Sequence, residues 1–151
     1  LADLLDRIND GRRKPLFVKL PPYPAGDESK DRDRGLALVK TCVTQGVEAV
    51  TVANSRRVED PGLATGAGGL SGRPVFTNML RMVTDVRGEV GEKMAINACG
   101  GIFSGEDAWL ALQAGATTVQ LLTGLVYRGP AIVRRINQQL LSFRSTGVPG
   151  L

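Results

Sequence analysis

The sequence contains no histidine, two cysteines and few aromatic residues. Without histidine the chain cannot supply a Ser-His triad, a histidine general base or the commonest zinc ligand. Cys42 and Cys99 lie in apolar contexts without CxxC spacing, so we expect neither a disulfide nor a metal site. A signal-peptide pattern, an initiator methionine and an apolar run long enough to span a membrane are also lacking. We therefore expect the segment itself to be soluble.

The charge of the chain is modestly positive and is spread along its length. The formal net charge is +4, and basic pairs such as Arg134-Arg135 are not interleaved with aromatic residues. We interpret this charge as a solvated surface and expect no nucleic-acid partner. With 151 residues the chain suits one segment with its own core, but a complete eight-stranded barrel needs about 250 residues. We therefore expect a piece of something longer.

Short apolar runs alternate with amphipathic helical patterns along the whole chain. After a leading helix that ends near Gly11, strands are predicted at 15–20, 47–53, 94–98 and 117–121. Each is followed by a helix, at 31–45, 77–88, 108–114 and 130–145. This order predicts a parallel sheet with right-handed crossovers. Four such units make half of a (β/α)8 barrel.

Local signals predict how several of these elements begin and end. Gly46 is expected to stop the second helix, and Thr77 to cap the third. The run from Ser104 to Asp107 resembles a capping box that opens the fourth helix. Polar loops are predicted at 21–33 and, rich in glycine, at 54–76.

Two consecutive strands end in glycine-bearing turns, Gly100-Gly101 and Thr123-Gly124. A strand that stops at glycines before a helix directs several backbone N–H donors at one spot, and the helix dipole favours an anion there. Either turn alone is equally well explained as a tight turn. Side by side in consecutive units, the two turns match the phosphate site of barrel enzymes.

The other strand ends carry polar residues. Lys19 lies near the end of the first strand, and Asn54 and Ser55 follow the second. Because the carboxyl ends of parallel strands meet at one rim, these groups are expected to share a site with the two glycine turns. A cation, an amide and backbone donors suit a planar heterocycle with a phosphate, a description that fits flavin mononucleotide (FMN). The alternative for Lys19 is pairing with a carboxylate at the barrel end.

Three longer motifs carry a resemblance to a known family: Gly-Gly-Leu-Ser-Gly-Arg-Pro at 68–74, Ala-Cys-Gly-Gly-Ile-Phe-Ser-Gly-Glu-Asp-Ala at 98–108, and Ala-Gly-Ala-Thr-Thr-Val-Gln-Leu-Leu-Thr-Gly-Leu-Val-Tyr-Arg-Gly-Pro at 114–130. Together they resemble the C-terminal half of dihydroorotate dehydrogenases, and the last resembles the class 2, quinone-dependent branch. The resemblance implies that residues 1–151 are a single segment, the C-terminal half-barrel of an FMN-binding TIM barrel. The first half and the membrane-associated N-terminal helices are expected to lie outside the chain.

Carried over by position, the resemblance implies roles for individual residues. The residues expected to contact FMN are Lys19, Ser55, Ser71, Gly72, Gly100, Gly101, Leu122 and Thr123, the last four at its phosphate. Asn54 and Ser55 are expected to bind the pyrimidine. The implied activity is oxidation of dihydroorotate to orotate in pyrimidine synthesis, with quinone received through the missing N-terminal region of a membrane-associated enzyme. The catalytic base, a serine, is expected in the missing half, so this chain alone is expected to be inactive.

The sequence also departs from the pattern of the family near the site. Where the family has Ala-Pro-Asp, Thr, Ile-Gly-Val and Tyr, this chain has Leu20-Pro21-Pro22-Tyr23, Ala53, Asn97-Ala98-Cys99 and Leu122. The alternative is therefore a substrate-altered or non-catalytic half-barrel that binds a phosphate ligand or assembles with a partner. A class 1 enzyme or a dihydrouridine synthase is a weaker alternative. Since half a barrel leaves two unpaired edges and, we expect, an apolar interior face, the isolated chain is expected to self-associate or to need the missing half.

Overall fold

The computed structural model describes residues 1–23 and 28–146. Its strands are β1 (Phe17–Lys19), β2 (Ala49–Val52), β3 (Arg56–Glu59), β4 (Ala67–Leu70), β5 (Ala95–Cys99) and β6 (Thr118–Gln120). Its helices are α1 (Ala2–Asn9), α2 (Glu28–Thr44), α3 (Phe76–Val90), α4 (Gly105–Gln113), α5 (Thr123–Arg128) and α6 (Ala131–Thr146). None of these helices is both long and apolar enough to cross a membrane.

The central sheet has four parallel strands in the order β1-β2-β5-β6. The predicted series of four parallel strand-and-helix units is confirmed. β3 and β4 form a separate antiparallel hairpin. β1 and β6 are the edges of the sheet, and no strand among residues 1–23 and 28–146 pairs with their outer sides, as predicted.

One face of the sheet packs on the helices and forms the core. Val18, Val50 and Ile96 lie side by side in register on this face, and the last two are fully buried. The helices cover them with buried apolar side chains, which include Val39, Cys42, Met82, Val83, Val86, Ala108, Ala111, Ile132 and Ile136. Burial also raises the pKa of the Cys42 thiol, which therefore behaves as a core residue.

The opposite face, which we call the open face, carries the alternate side chains of the same strands: Phe17, Lys19, Ala49, Thr51, Ala95, Asn97, Cys99, Thr118 and Gln120. Asn97 Nδ2 donates hydrogen bonds to Gln120 Oε1 (2.9 Å) and Thr51 Oγ1 (3.3 Å), and Thr118 Oγ1 donates to Asn97 Oδ1 (3.0 Å). The expectation of an apolar interior face therefore holds only in part, because this polar network shares the face with Phe17, Ala49, Ala95 and Cys99. The polar network weakens the argument for self-association from an apolar face, and the argument from the two strand edges remains.

Several predicted boundaries are borne out or moved by local contacts. Gly46 stops α2 as predicted, with a φ of +66° and its N–H donating to Val43 O (3.1 Å). The helix itself begins at Glu28, inside the predicted 21–33 loop, of which residues 24–27 lie outside the described residues. Thr77 does not cap the third helix. A 3-10 turn at Arg73–Val75 leads into α3 at Phe76, so Thr77 already lies in its first turn.

A hairpin and a short helix were not predicted. The expected 54–76 loop contains the β3–β4 hairpin. A Cβ on Gly68 would lie 2.6 Å from Leu63 Cδ1, and a Cβ on Gly69 would lie 2.6 Å from Ser55 Oγ, so neither position has room for a side chain. Glycine is depleted in strands, so propensity argued for a loop. The short helix α5 was hidden because its six residues are followed at once by Gly129-Pro130.

Tyr23 packs the segment that follows β1 against helix α2. The side chain is buried against α2, where a Cβ on Gly35 would lie 2.8 Å from its ring. Arg32 Nε contacts Asp85 Oδ1 at 3.0 Å between α2 and α3. Within residues 1–23 and 28–146, the Tyr23 hydroxyl and Asp85 Oδ2 are both buried and have no partner at hydrogen-bonding geometry. Burial first, and then the negative charge of Asp85, raise the pKa of Tyr23 to about 12 from its ordinary value of 10.0.

The raised pKa predicts a loss of stability in alkali. Because the tyrosine ionises more readily in the unfolded chain, the stability present below pH 10 is lost as the pH rises through about 12. The loss amounts to about 2 kcal/mol over this window. Urea unfolding of wild type and Tyr23→Phe between pH 9 and 12 measures it. The phenylalanine variant is expected to lack this component, and parallel pH profiles for the two proteins would contradict the assignment.

Candidate functional site

A cleft of about 320 Å³ lies at the carboxyl ends of the parallel strands. Its lining comes from the end of β1, the segment after β2, the turn before α3, the turn after β5 and the turn between β6 and α5. All nine residues predicted for the site line this cleft: Lys19, Asn54, Ser55, Ser71, Gly72, Gly100, Gly101, Leu122 and Thr123. The fold thus brings together every predicted site residue.

The glycine turns pack on one another so closely that they have no room for side chains. Gly101 has a φ of +72°, and a Cβ there would lie 2.6 Å from Phe76 Cβ and 3.0 Å from Gly72 O. A Cβ on Gly124 would lie 2.5 Å from Ile102 O, in the neighbouring turn. The side chains of Thr123 and Ser71 also meet, the former donating to the latter at 3.3 Å. These turns therefore form one interlocked wall.

The backbone N–H groups in this wall are available to a ligand. Those of Gly100, Gly101, Thr123 and Gly124 have no protein acceptor within the two ranges that the structure describes. All four residues line the cleft. Since several unpaired N–H groups around one concavity attract an anion, this part of the cleft suits a phosphate.

The start of α4 contributes differently from the prediction. Ser104 caps the helix as expected, with its Oγ accepting from Asp107 N at 3.2 Å. The N–H of Gly105 donates to Gln139 Oε1 (2.7 Å), and that of Phe103 donates to Asp107 Oδ2 (2.8 Å). The N–H groups at the start of α4 are therefore already hydrogen-bonded within the protein. The unpaired N–H donors come instead from the glycines that precede the helix.

Arg73 and Asp107 form an ion pair that the sequence patterns did not reveal. The Asp107 side chain is 7% exposed and accepts from both Arg73 and the Phe103 N–H. The guanidinium also lies 5.6 Å and 5.7 Å from the ring centroids of Phe76 and Phe103. We call this pair the Arg73–Asp107 clamp, since it joins the turn holding Ser71 and Gly72 to the turn after β5. The predicted capping box singled out Asp107 for a role at the start of α4, and it did not indicate that the carboxylate pairs with Arg73.

The polar side chains in the cleft mainly offer hydrogen-bond donors. Lys19 makes no ion pair with any residue in 1–23 or 28–146, so the alternative of a carboxylate partner is not supported. Asn54 Oδ1 accepts from Ser55 N at 2.9 Å, which leaves the amide N–H groups of Asn54 for a ligand. Gln120, which was not predicted, also lines the cleft. The lining residues include no aspartate or glutamate, so the cleft favours an anionic ligand rich in acceptors.

Comparison with known proteins identifies the family of the chain. The family model for dihydroorotate dehydrogenase matches residues 1–143. The chain belongs to the dihydroorotate dehydrogenase family. It is 37% identical over 164 aligned positions to a protein of Coxiella burnetii named dihydroorotate dehydrogenase (quinone), covering 97% of this chain and 44% of that protein. A protein of Burkholderia multivorans with the same name is 41% identical over 139 positions, covering 88% and 39%.

Solved structures of this family agree with the fold. A ligand-free dihydroorotate dehydrogenase from Eimeria tenella superposes with a TM-score of 0.74 at 31% identity, covering 91% of this chain and 38% of that one. The same enzyme in complex with ferulenol gives a TM-score of 0.73. The predicted partial TIM barrel of the dihydroorotate dehydrogenase family is confirmed. The chain spans less than half of the length of these relatives.

Proposed function

We propose that the chain is the C-terminal half-barrel of a quinone-type dihydroorotate dehydrogenase and that its cleft holds FMN. The observation that carries the proposal is the convergence of all nine expected residues on one cleft that has unpaired backbone donors and no carboxylate. FMN fits these residues because the glycine turns leave backbone N–H groups unpaired among the described residues, which suits a phosphate, and the side-chain donors suit a ring rich in acceptors.

Each part of the cleft has its own task in this proposal. The N–H groups of Gly100, Gly101 and Thr123 bind the phosphate, with the backbone of Leu122 beside them. Ser55, Ser71 and Gly72 line the path of the remainder of the cofactor. Lys19 makes no ion pair with a carboxylate among the described residues. It places positive charge beside the ring and stabilises negative charge that develops there.

Asn54 and Ser55 hold the pyrimidine in the proposed reaction. With its Oδ1 turned to Ser55 N, Asn54 presents its N–H groups to a carbonyl of dihydroorotate or orotate. FMN supplies the acceptor for the hydride that leaves dihydroorotate. A serine base from the other half of the barrel takes the proton. Quinone reoxidises the enzyme through a region outside this chain. The whole protein is membrane-associated in this proposal.

Lys19→Met tests the proposal in the protein as its gene encodes it, with any residues beyond this chain included. Titration of the apoprotein with FMN, followed by quenching of flavin fluorescence, is expected to give tight binding for wild type. For the variant we expect a rise in Kd of about ten- to a hundredfold, the size of a lost charge-assisted hydrogen bond. The free energy of unfolding is expected to change by less than about 0.5 kcal/mol, because Lys19 is exposed and unpaired among the described residues.

The matched control is Lys93→Met, which removes an exposed lysine just before β5, at the opposite end of the sheet. It is expected to leave the Kd for FMN unchanged. A wild-type protein that binds inorganic phosphate but neither FMN nor dihydroorotate would favour the non-catalytic alternative. Equal effects of the two lysine variants would remove the proposed role of Lys19.

A further inference from the structure

We infer that Gln120 is a cofactor-contacting residue whose amide is held in one orientation by Asn97, which acts as a positioning residue. The inference rests on the proposed function, since it concerns the same cleft. Nothing in the predicted motifs singled out either residue for this role.

The first step is the place of Gln120. It ends β6, is exposed and lines the cleft two positions before Leu122 and three before Thr123, the start of α5. Its Oε1 accepts from Asn97 Nδ2 at 2.9 Å. An amide whose oxygen is engaged on one side carries its NH₂ group on the other side. Nε2 has no acceptor within residues 1–23 and 28–146, so it remains a donor for a ligand.

The second step is what orients Asn97. In the structure Thr118 Oγ1 donates to Asn97 Oδ1 at 3.0 Å, so the acceptor end of that amide faces Thr118. The donor end then points at Gln120 and at Thr51 Oγ1, the latter 3.3 Å away. The hydrogen bonds therefore run in one direction, from Thr118 through Asn97 to Gln120. Such a relay fixes the rotamer of an otherwise exposed side chain and lowers the entropy lost when a ligand binds.

The third step is the chemistry of the bound group. Lys19, the amide of Asn54 and the amide of Gln120 all bring donors to the cleft, while the lining residues contain no carboxylate. Gln120 therefore donates to an acceptor atom of FMN. Asn97 does not line the cleft and acts only through Gln120.

A double-mutant cycle tests this relation in the protein as its gene encodes it. The variants are Asn97→Leu, Gln120→Leu and the double variant, and the measurement is the Kd for FMN by fluorescence quenching, together with the position of the visible flavin absorption bands. Each single change is expected to weaken binding about three- to tenfold, as for one neutral hydrogen bond. The double variant is expected to bind no more weakly than Gln120→Leu alone, because Asn97 has no effect without Gln120.

Two further variants keep the test sharp. Asn137→Leu removes an exposed amide on α6 and is expected to leave binding unchanged. Gln120→Glu keeps the size of the side chain but replaces its N–H donors with carboxylate acceptors, so it is expected to bind FMN at least as weakly as Gln120→Leu. This variant tests the role of Gln120 even if Asn97→Leu fails to fold. Additive losses in the cycle, or wild-type binding by Gln120→Glu, would overturn the inference and leave the proposed function intact. A wild-type protein that does not bind FMN would overturn both.

Discussion

Gly101→Ala is expected to lower the free energy of unfolding by about 3 kcal/mol and to abolish FMN binding. Two costs add at this position. The φ of +72° is unfavourable for alanine by about 1 kcal/mol. The new methyl group would also lie 2.6 Å from Phe76 Cβ, 2.9 Å from its Cα and 3.0 Å from Gly72 O. Since two of these three atoms belong to the backbone, relief requires the turns to separate, at about 1–3 kcal/mol.

Gly46→Ala is the control that separates the two costs. Its φ of +66° is nearly the same, but a Cβ there would meet nothing within 4 Å. We therefore expect this variant to lose only the backbone part, about 1 kcal/mol, and to leave the cleft unchanged. Urea unfolding and FMN titration of both variants measure the difference. Equal losses in the two proteins would mean that the turns around Gly101 are not packed as described.

Asp107→Ala is expected to lower the free energy of unfolding by about 2–3 kcal/mol and to weaken FMN binding. The change leaves the Phe103 N–H without its acceptor and breaks the Arg73–Asp107 clamp. Loss of one partner from a fully buried pair costs about 3–5 kcal/mol. The cost is smaller here because the Arg73 side chain is 58% exposed and regains water. The turn that contains Ser71 and Gly72 is then no longer held against Gly101 and Thr123, the residues proposed to bind the phosphate.

Glu106→Ala is the matched control, since Glu106 is an exposed carboxylate in the same first turn of α4. It is expected to change the free energy of unfolding by no more than about 0.5 kcal/mol. Thermal or urea unfolding and FMN titration of both variants decide the point. If Asp107→Ala unfolds earlier but binds FMN with wild-type affinity, the clamp serves stability alone.

The order of strands was predictable because each β/α unit carries its own periodic signal. Val50 and Ile96 sit in short apolar runs, and the helical stripes between them are amphipathic, so the pattern alone indicates parallel crossovers. The β3–β4 hairpin gave no such signal. Its strands pair through their backbones, and the glycines at 68 and 69 leave room for Leu63 and Ser55, a packing requirement that strand propensity does not register.

The site was predictable where residues follow strand ends. Lys19, Asn54 and Gly100 all fall there, and parallel strands deliver their carboxyl ends to one rim. The roles of the other groups depend on partners distant in sequence, which spacing cannot reveal. Asp107 read as part of a capping box, yet its carboxylate pairs with Arg73. The polar row on the open face was not predicted because barrel interiors are usually filled by branched apolar residues, whereas here Asn97 and its neighbours bond to each other.

The hydrogen-bonded row on the open face has a consequence for the edges of the sheet. Because Thr51, Asn97, Thr118 and Gln120 already bond to one another, a further strand would gain mainly by main-chain pairing along β1 or β6. Such pairing depends on strand direction and not on the identity of these side chains. Substitutions in the row can therefore change what the open face accommodates without changing how its edges pair.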